Sequence, residues 1–186
     1  MNNPLRRFSQ RFIEFPVFQK LGLQQMKCDI LELGCGSGYG AALLARLRPF
    51  TYLGIDLMEE QVELARCRNL PGAVFMQGDA SHLVGVADGS KDLVVIFGIL
   101  HHMPGWRDAI RECARVLVPG GSLFLEEPGK GFIRRWDRLF KWGHAADAGF
   151  DLAELEAELA RNGFLIEKKL RALGFGSYHA LKKEGL

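Results

Sequence analysis

The chain has 186 residues, 48% of them apolar, and a formal net charge of +2. That length suits one domain burying on the order of 70% of its unfolded surface, and so balanced a charge excludes nucleic-acid binding through overall positive charge. Four cysteines without a C-x-x-C pair, charges that interrupt the first twenty residues, and no apolar run near the roughly 18 residues of a membrane span predict a reduced, unprocessed, cytoplasmic protein with no transmembrane segment and no metal site.

The charge is unevenly placed. Residues 1–20 carry Arg6, Arg7, Arg11 and Lys20 against Glu14, a balance of +3. Residues 128–144 carry Lys130, Arg134, Arg135, Arg138 and Lys141 against Asp137, a balance of +4, which leaves −5 for the remainder. Two basic segments therefore flank a mildly acidic body.

At the start, Asn3-Pro4 is an N-cap with proline at the first helical position, and Phe8, Phe12 and Phe15 share one face of an amphipathic helix expected to break at Pro16. A second helical piece spans 17–25. The apolar run 28–33, interrupted only by Asp29 and Glu32, then enters Gly34, Gly36, Gly38 and Gly40. This pattern predicts a buried strand turning sharply into a helix over 39–48, where glycines let a ligand lie against backbone N–H groups.

Strand 51–56, helix 59–68, strand 73–77, strand 92–97, helix 106–116 and strand 122–126 follow, with a turn expected at Pro119-Gly120-Gly121. Asp151 caps a helix through Asn162, and strands 164–169 and 174–181 close the chain. Strand 92–97 is apolar enough to be buried on both faces. The alternation predicts an α/β fold: a doubly wound, mostly parallel seven-stranded sheet with helices on both faces and an antiparallel edge strand, all in a single domain over 1–186. Within it, 1–27 forms an N-terminal helical segment and 128–150 an acceptor-site or lid insertion.

Ligands bind such sheets beyond the carboxyl ends of the strands. Polar residues gather there: Glu32 and the glycines end the first strand, Asp56 the second, Asp79 follows the third, and Phe97-Gly98 end the fourth. The placement of Asp56 after the glycines suits an acid that accepts hydrogen bonds from ribose hydroxyls. Asp79 would meet the far edge of an adenine.

Taken together, Ile30-Leu31-Glu32-Leu33-Gly34-Cys35-Gly36-Ser37-Gly38, Gly54-Ile55-Asp56, Gly78-Asp79-Ala80, Asp92-Leu93-Val94 and Leu117-Val118-Pro119-Gly120-Gly121 resemble the class I S-adenosylmethionine-dependent methyltransferases. The resemblance implies S-adenosylmethionine as cofactor and S-adenosylhomocysteine as product. By that similarity Gly34, Cys35, Gly36 and Gly38 hold the methionine part, Asp56 both ribose hydroxyls and Leu57 one adenine face. Asp79 accepts from the exocyclic amine, Ala80 offers its backbone N–H to the ring, and the Phe97 carbonyl faces the amino group.

The residues also admit a nicotinamide dinucleotide enzyme, since Gly36-Ser37-Gly38-Tyr39-Gly40-Ala41 fits G-x-G-x-x-A. Glu32 opposes that reading, because a carboxylate in an apolar strand repels a pyrophosphate and suits an ammonium or sulfonium. A third possibility is a non-catalytic scaffold or sensor that binds the same cofactor.

For the acceptor, His102 and His101 follow the fourth strand and are the candidate bases. Glu126, Glu127, His144, Tyr178 and His179 are weaker candidates, and His82 is expected to cap or face solvent. There is no Asp/Asn-Pro-Pro-Tyr motif after the fourth strand and no Pro-Cys nucleophile. These features predict a small-molecule acceptor, anionic, aromatic or lipid-like, handled by a monomer or homodimer that does not bind nucleic acid. In segment 128–150, Phe132, Ile133, Trp136, Leu139 and Phe140 share a helical face ringed by Arg134, Arg135, Arg138 and Lys141. That face is expected to pack on the core with a lid edge, or to meet a membrane surface.

Overall fold

The computed structural model describes residues 4–24, 28–47, 50–140 and 149–184. Seven strands form one sheet in the order β3-β2-β1-β4-β5-β7-β6: β1 Cys28–Leu33, β2 Phe50–Asp56, β3 Ala73–Gln77, β4 Lys91–Phe97, β5 Leu117–Pro128, β6 Phe164–Ala172 and β7 Phe175–Lys182. Strands β1 to β5 pair in parallel. Strand β7 runs against both neighbours, so the antiparallel edge is the β7–β6 hairpin.

The chain winds from β1 out to β3, returns beside β1 with β4, and winds the other way. The switch point thus lies between the carboxyl ends of β1 and β4, next to the glycine turn.

Helices cover both faces because alternate strand residues are apolar on both. One layer packs Leu31, Leu33, Val94, Ile96, Leu123 and Leu125 against α5 (Trp106–Val116) and α7 (Leu152–Arg161). In α5 the buried positions Trp106, Ala109, Ile110, Cys113 and Val116 recur at helical spacing. The opposite layer packs Ile30, Tyr52, Leu93, Val95, Phe97 and Phe124 against α2 (Phe15–Leu21), α3 (Tyr39–Leu44) and α4 (Glu59–Arg66).

Three expectations are corrected. The N-terminal helix does not break at Pro16: α1 (Pro4–Ser9) runs through a π-helical stretch, Gln10–Glu14, directly into α2. The wider π turn accommodates a ring that would otherwise strike the carbonyl four residues earlier. Of the predicted apolar face only Phe15 is buried, while Phe8 and Phe12 point to solvent. Pro119-Gly120-Gly121 does not interrupt the fifth strand, because β5 bulges there, Lys91 pairing with Leu117 and Leu93 with Ser122.

The insertion forms α6 (Lys130–Phe140), with Ile133 buried and Phe132 edge-on to Phe175 at 4.4 Å. The side chains of Trp136, Leu139 and Phe140, and the whole of Lys141 and His144, lie outside the described residues. Among the described residues no helix is long and apolar enough to cross a membrane.

Candidate functional site

The glycine turn is tied to β2. Gly34 and Cys35 both donate their N–H to the Ile55 carbonyl, at 2.8 and 3.1 Å, Gly36 donates to Asp56 Oδ2 at 2.8 Å, and Gly38 donates to the Cys35 carbonyl at 2.9 Å. These four N–H groups are spent within the protein. Gly34 has φ +69°, and a Cβ there would strike the Ile99 side chain after β4. Beside Gly36 the space is open.

Asp56 is buried and accepts from Gly36 N–H through Oδ2 and from Met58 N–H through Oδ1, at 3.0 Å. A carboxylate has about four acceptor sites, so two remain for other donors. Leu57 is exposed beside it. Past β3, Ile55, Gln77, Gly78, Asp79, His82 and Leu83 help to line a cavity of about 250 Å³. Asp79 lies on its rim, with Oδ1 accepting from Ser81 N–H and Oγ–H at 2.8 and 2.7 Å, bonds that hold its pKa below the usual range. Ala80 is buried behind it, and His82 faces solvent as expected.

Glu32 is the unusual member. Its side chain is buried beneath α3, Oε2 accepts the Tyr52 hydroxyl at 2.7 Å, and Oε1 has no hydrogen-bond partner among the described residues. Burial pushes its pKa up to about 8, against the Tyr52 hydrogen bond. A Cβ on Gly40 would collide with this carboxyl group, so glycine in the first turn of α3 is the space Glu32 occupies. Burial likewise raises the neighbouring Cys35 thiol.

Sequence reasoning missed the contribution of the N-terminal helix. Arg6 donates through Nη2 to the Phe97 carbonyl at 2.6 Å, the carbonyl expected to face the cofactor's amino group, and pairs through Nη1 with Glu14. Ser9 Oγ–H also donates to Glu14 at 2.8 Å, while Glu14 Oε2 lacks a partner among the described residues. Glu126, at the end of β5, is buried nearby. Desolvation raises the pKa of Glu14 despite Arg6, and desolvation followed by Glu14 raises that of Glu126. One signal was available: Glu14 is the lone acid in a basic segment and directly precedes the buried Phe15.

Glu127 organises the turn after β4. Completely buried, it accepts Ile99 N–H and Leu100 N–H through Oε1, at 2.9 and 2.7 Å, and holds His101 Nδ1 through Oε2 at 2.8 Å. His102 is exposed, its ring 3.9 Å from that of His101. The structure therefore gathers His101, His102, Glu126 and Glu127 but not Tyr178 or His179. Tyr178 lies in the α5–α7 layer, and His179 stacks on Phe124 and bonds Ser122 Oγ in the opposite one.

The residues fit a cofactor that presents a cation to buried carboxylates and hydroxyls to Asp56: β1 carries a carboxylate oxygen without a partner among the described residues, the space beside Gly36 after it is open, and a cavity lies at Asp79 past β3. Comparison with known proteins agrees. Residues 31–125 match the model of the methyltransferase domain family. The chain is 37% identical over 150 residues to a fatty-acid O-methyltransferase of Mycolicibacterium smegmatis, covering 77% of this chain and 52% of that protein. It is also 37% identical over 128 residues to phthiotriol/phenolphthiotriol dimycocerosates methyltransferase 1 of Mycobacterium ulcerans, covering 68% of this chain and 45% of that one. The chain thus spans about half the length of these relatives. A solved SAM-dependent methyltransferase from Methanosarcina mazei superimposes with a TM-score of 0.70 at 27% identity, over 90% of this chain and 97% of that structure. The glycine turn, the acids at the strand ends, the sheet order and these likenesses lead to one conclusion: the chain belongs to the class I S-adenosylmethionine-dependent methyltransferases.

Proposed function

We propose that the protein methylates an oxygen of a small, lipid-like acceptor, using S-adenosylmethionine held between the glycine turn and the acids of the neighbouring strand ends. The observation that carries the cofactor site is the buried Glu32 carboxyl, whose Oε1 lacks any partner among the described residues. In this reading Glu32 faces the cationic end of the cofactor, with Gly34, Cys35, Gly36 and Gly38 shaping the path along the turn. Asp56 accepts from the ribose hydroxyls, Leu57 covers one adenine face, and Asp79 and the Ala80 N–H meet its edge. The Phe97 carbonyl exchanges Arg6 for the amino group.

Bound there, S-adenosylmethionine supplies a methyl group already activated by its sulfonium, so the protein's work is alignment and exclusion of water, worth roughly 7–11 kcal/mol. Glu127 fixes the His101 ring through Nδ1, and His101 takes the proton of a hydroxyl acceptor at Nε2, with His102 at the rim. A carboxylate acceptor needs no base. The lipid reading is supported by two mycobacterial relatives, a fatty-acid O-methyltransferase and a phthiotriol/phenolphthiotriol dimycocerosates methyltransferase. The free thiols of Cys28, Cys35, Cys67 and Cys113 support a reducing, cytoplasmic setting.

The test pairs binding with turnover. S-adenosylmethionine and S-adenosylhomocysteine should raise the melting temperature, by about 2.7 kcal/mol of stabilisation at about 100 times Kd, and NAD should not. Methyl-labelled cofactor with a panel of long-chain acids and alcohols should give a labelled ester or ether. A shift with NAD alone would overturn the cofactor site; cofactor binding without transfer to any oxygen acceptor would favour the scaffold.

A further inference from the structure

The first helix is built the wrong way round for a helix in water. None of the residues of α1 is buried, and Arg6 reaches inward to donate to the Phe97 carbonyl and pair with Glu14. The outer side of α1 and of the π-helical stretch after it carries apolar residues. Leu5 is 72% exposed, Phe8 and Phe12 57% each and Ile13 55%, with the Phe8 and Phe12 rings 4.8 Å apart. A surface helix normally buries such a stripe, and clustered exposed aromatics in a soluble domain mark a surface that something covers.

Charge indicates what covers it. Arg7 and Arg11 are exposed on the same segment, and the Arg11 guanidinium lies 5.3 Å from the Phe12 ring centroid. Arg134, Arg135 and Arg138 are exposed on α6, which begins two residues beyond the carboxyl end of β5, while Arg6 anchors α1 at the carboxyl end of β4. Aromatic and aliphatic side chains flanked by arginines, at the end of the sheet where the site opens, are the composition of an interfacial helix.

We infer that the outer face of the N-terminal helix, Leu5, Phe8, Phe12 and Ile13 with Arg11, docks on an anionic lipid bilayer and sets the mouth of the site against the membrane. Its purpose rests on the lipid-acceptor reading above; its evidence, the inverted helix and its arginines, does not. The anionic headgroups meet the arginines and the aromatic rings enter the boundary between headgroups and acyl chains.

The full chain is floated with phosphatidylcholine vesicles, with and without phosphatidylglycerol. It should rise with the anionic vesicles only, and high salt should release it. The double variant Phe8→Ser/Phe12→Ser should bind at least about tenfold more weakly. The triple variant Arg11→Gln/Arg134→Gln/Arg135→Gln should bind about 100-fold more weakly, at about fivefold for each charge lost near the surface. Both variants should keep S-adenosylhomocysteine affinity, which shows that they fold. Equal binding by wild type and the Phe8/Phe12 variant, or no binding to either vesicle, overturns the inference. So does a dimer in sedimentation that the same variant dissociates, because a second copy would then cover the face. Transfer to a monomeric short-chain acid without vesicle binding removes the docking face alone; vesicle binding with no lipid oxygen methylated supports docking and removes the acceptor reading.

Discussion

The two sides of the β1–β4 switch handle buried carboxylates differently. On the β2 side, Asp56 is satisfied by the N–H groups of Gly36 and Met58, and those bonds fix the turn to the sheet. On the β5 side, Glu14 and Glu126 lie around a single guanidinium, that of Arg6, and burial keeps both pKa values raised. Glu32 stands between these cases, with one oxygen on the Tyr52 hydroxyl and the other without a partner among the described residues. A carboxylate held by backbone donors cannot change partner without unfolding a turn, whereas one held by a long side chain, or by nothing, can accept a ligand's cation. Asp56 and Glu127 thus tie turns to the sheet, while Glu32 and Glu14 each keep an oxygen without a partner among the described residues.

Glu127→Ala should have the largest effect. It strips the acceptor from the N–H groups of Ile99 and Leu100 and the partner from His101, each orphaned donor costing about 1–3 kcal/mol. Chemical denaturation should show a loss of about 3 kcal/mol or more. Glu127→Gln, which keeps an acceptor for the backbone, should recover most of the stability but not the orientation of His101, lowering kcat with a hydroxyl acceptor.

Gly40→Ala should have a smaller effect of unexpected sign. Alanine in a helix ordinarily gains about 1 kcal/mol over glycine. Here the added methyl meets the Glu32 carboxyl, so denaturation should show a loss of about 1–3 kcal/mol from overpacking. The double variant Gly40→Ala/Glu32→Ala should return toward the ordinary gain, and stabilisation by Gly40→Ala alone would show that Glu32 does not lie beneath α3.

The sheet was legible because each parallel strand is an apolar run that ends in glycine or an acid, and a period-two pattern leaves little freedom of register. Strand β3 and helix α5 coincide with their expected ranges. Periodicity gave the N-terminal helix a face but not its direction: Phe8, Phe12 and Phe15 align on a regular helix, and the π turn at Gln10–Glu14 rotates Phe15 inward while Phe8 and Phe12 stay outside. Arg6 at the Phe97 carbonyl joins residues 91 positions apart, and no local pattern announces such a contact. The glycine spacing announced the turn correctly but not that Ile55 and Asp56 take the N–H groups of Gly34, Cys35 and Gly36, a fact of the β1–β2 pairing.

The most direct test of the account follows the proton on Glu32. In the free protein its pKa is raised from 4.5 to about 8, so between those values the unfolded chain is ionised and the folded one is protonated, and stability falls as pH rises through that window. A cationic ligand selects the ionised form. Calorimetric titration with S-adenosylhomocysteine, which carries the same ammonium, should therefore show Kd tightening up to about tenfold per pH unit below about pH 8, with proton release, and levelling off above it. Glu32→Gln should bind more weakly and lose the slope. An affinity independent of pH, unchanged by Glu32→Gln, would contradict the claim that this buried carboxylate receives the cofactor's cation.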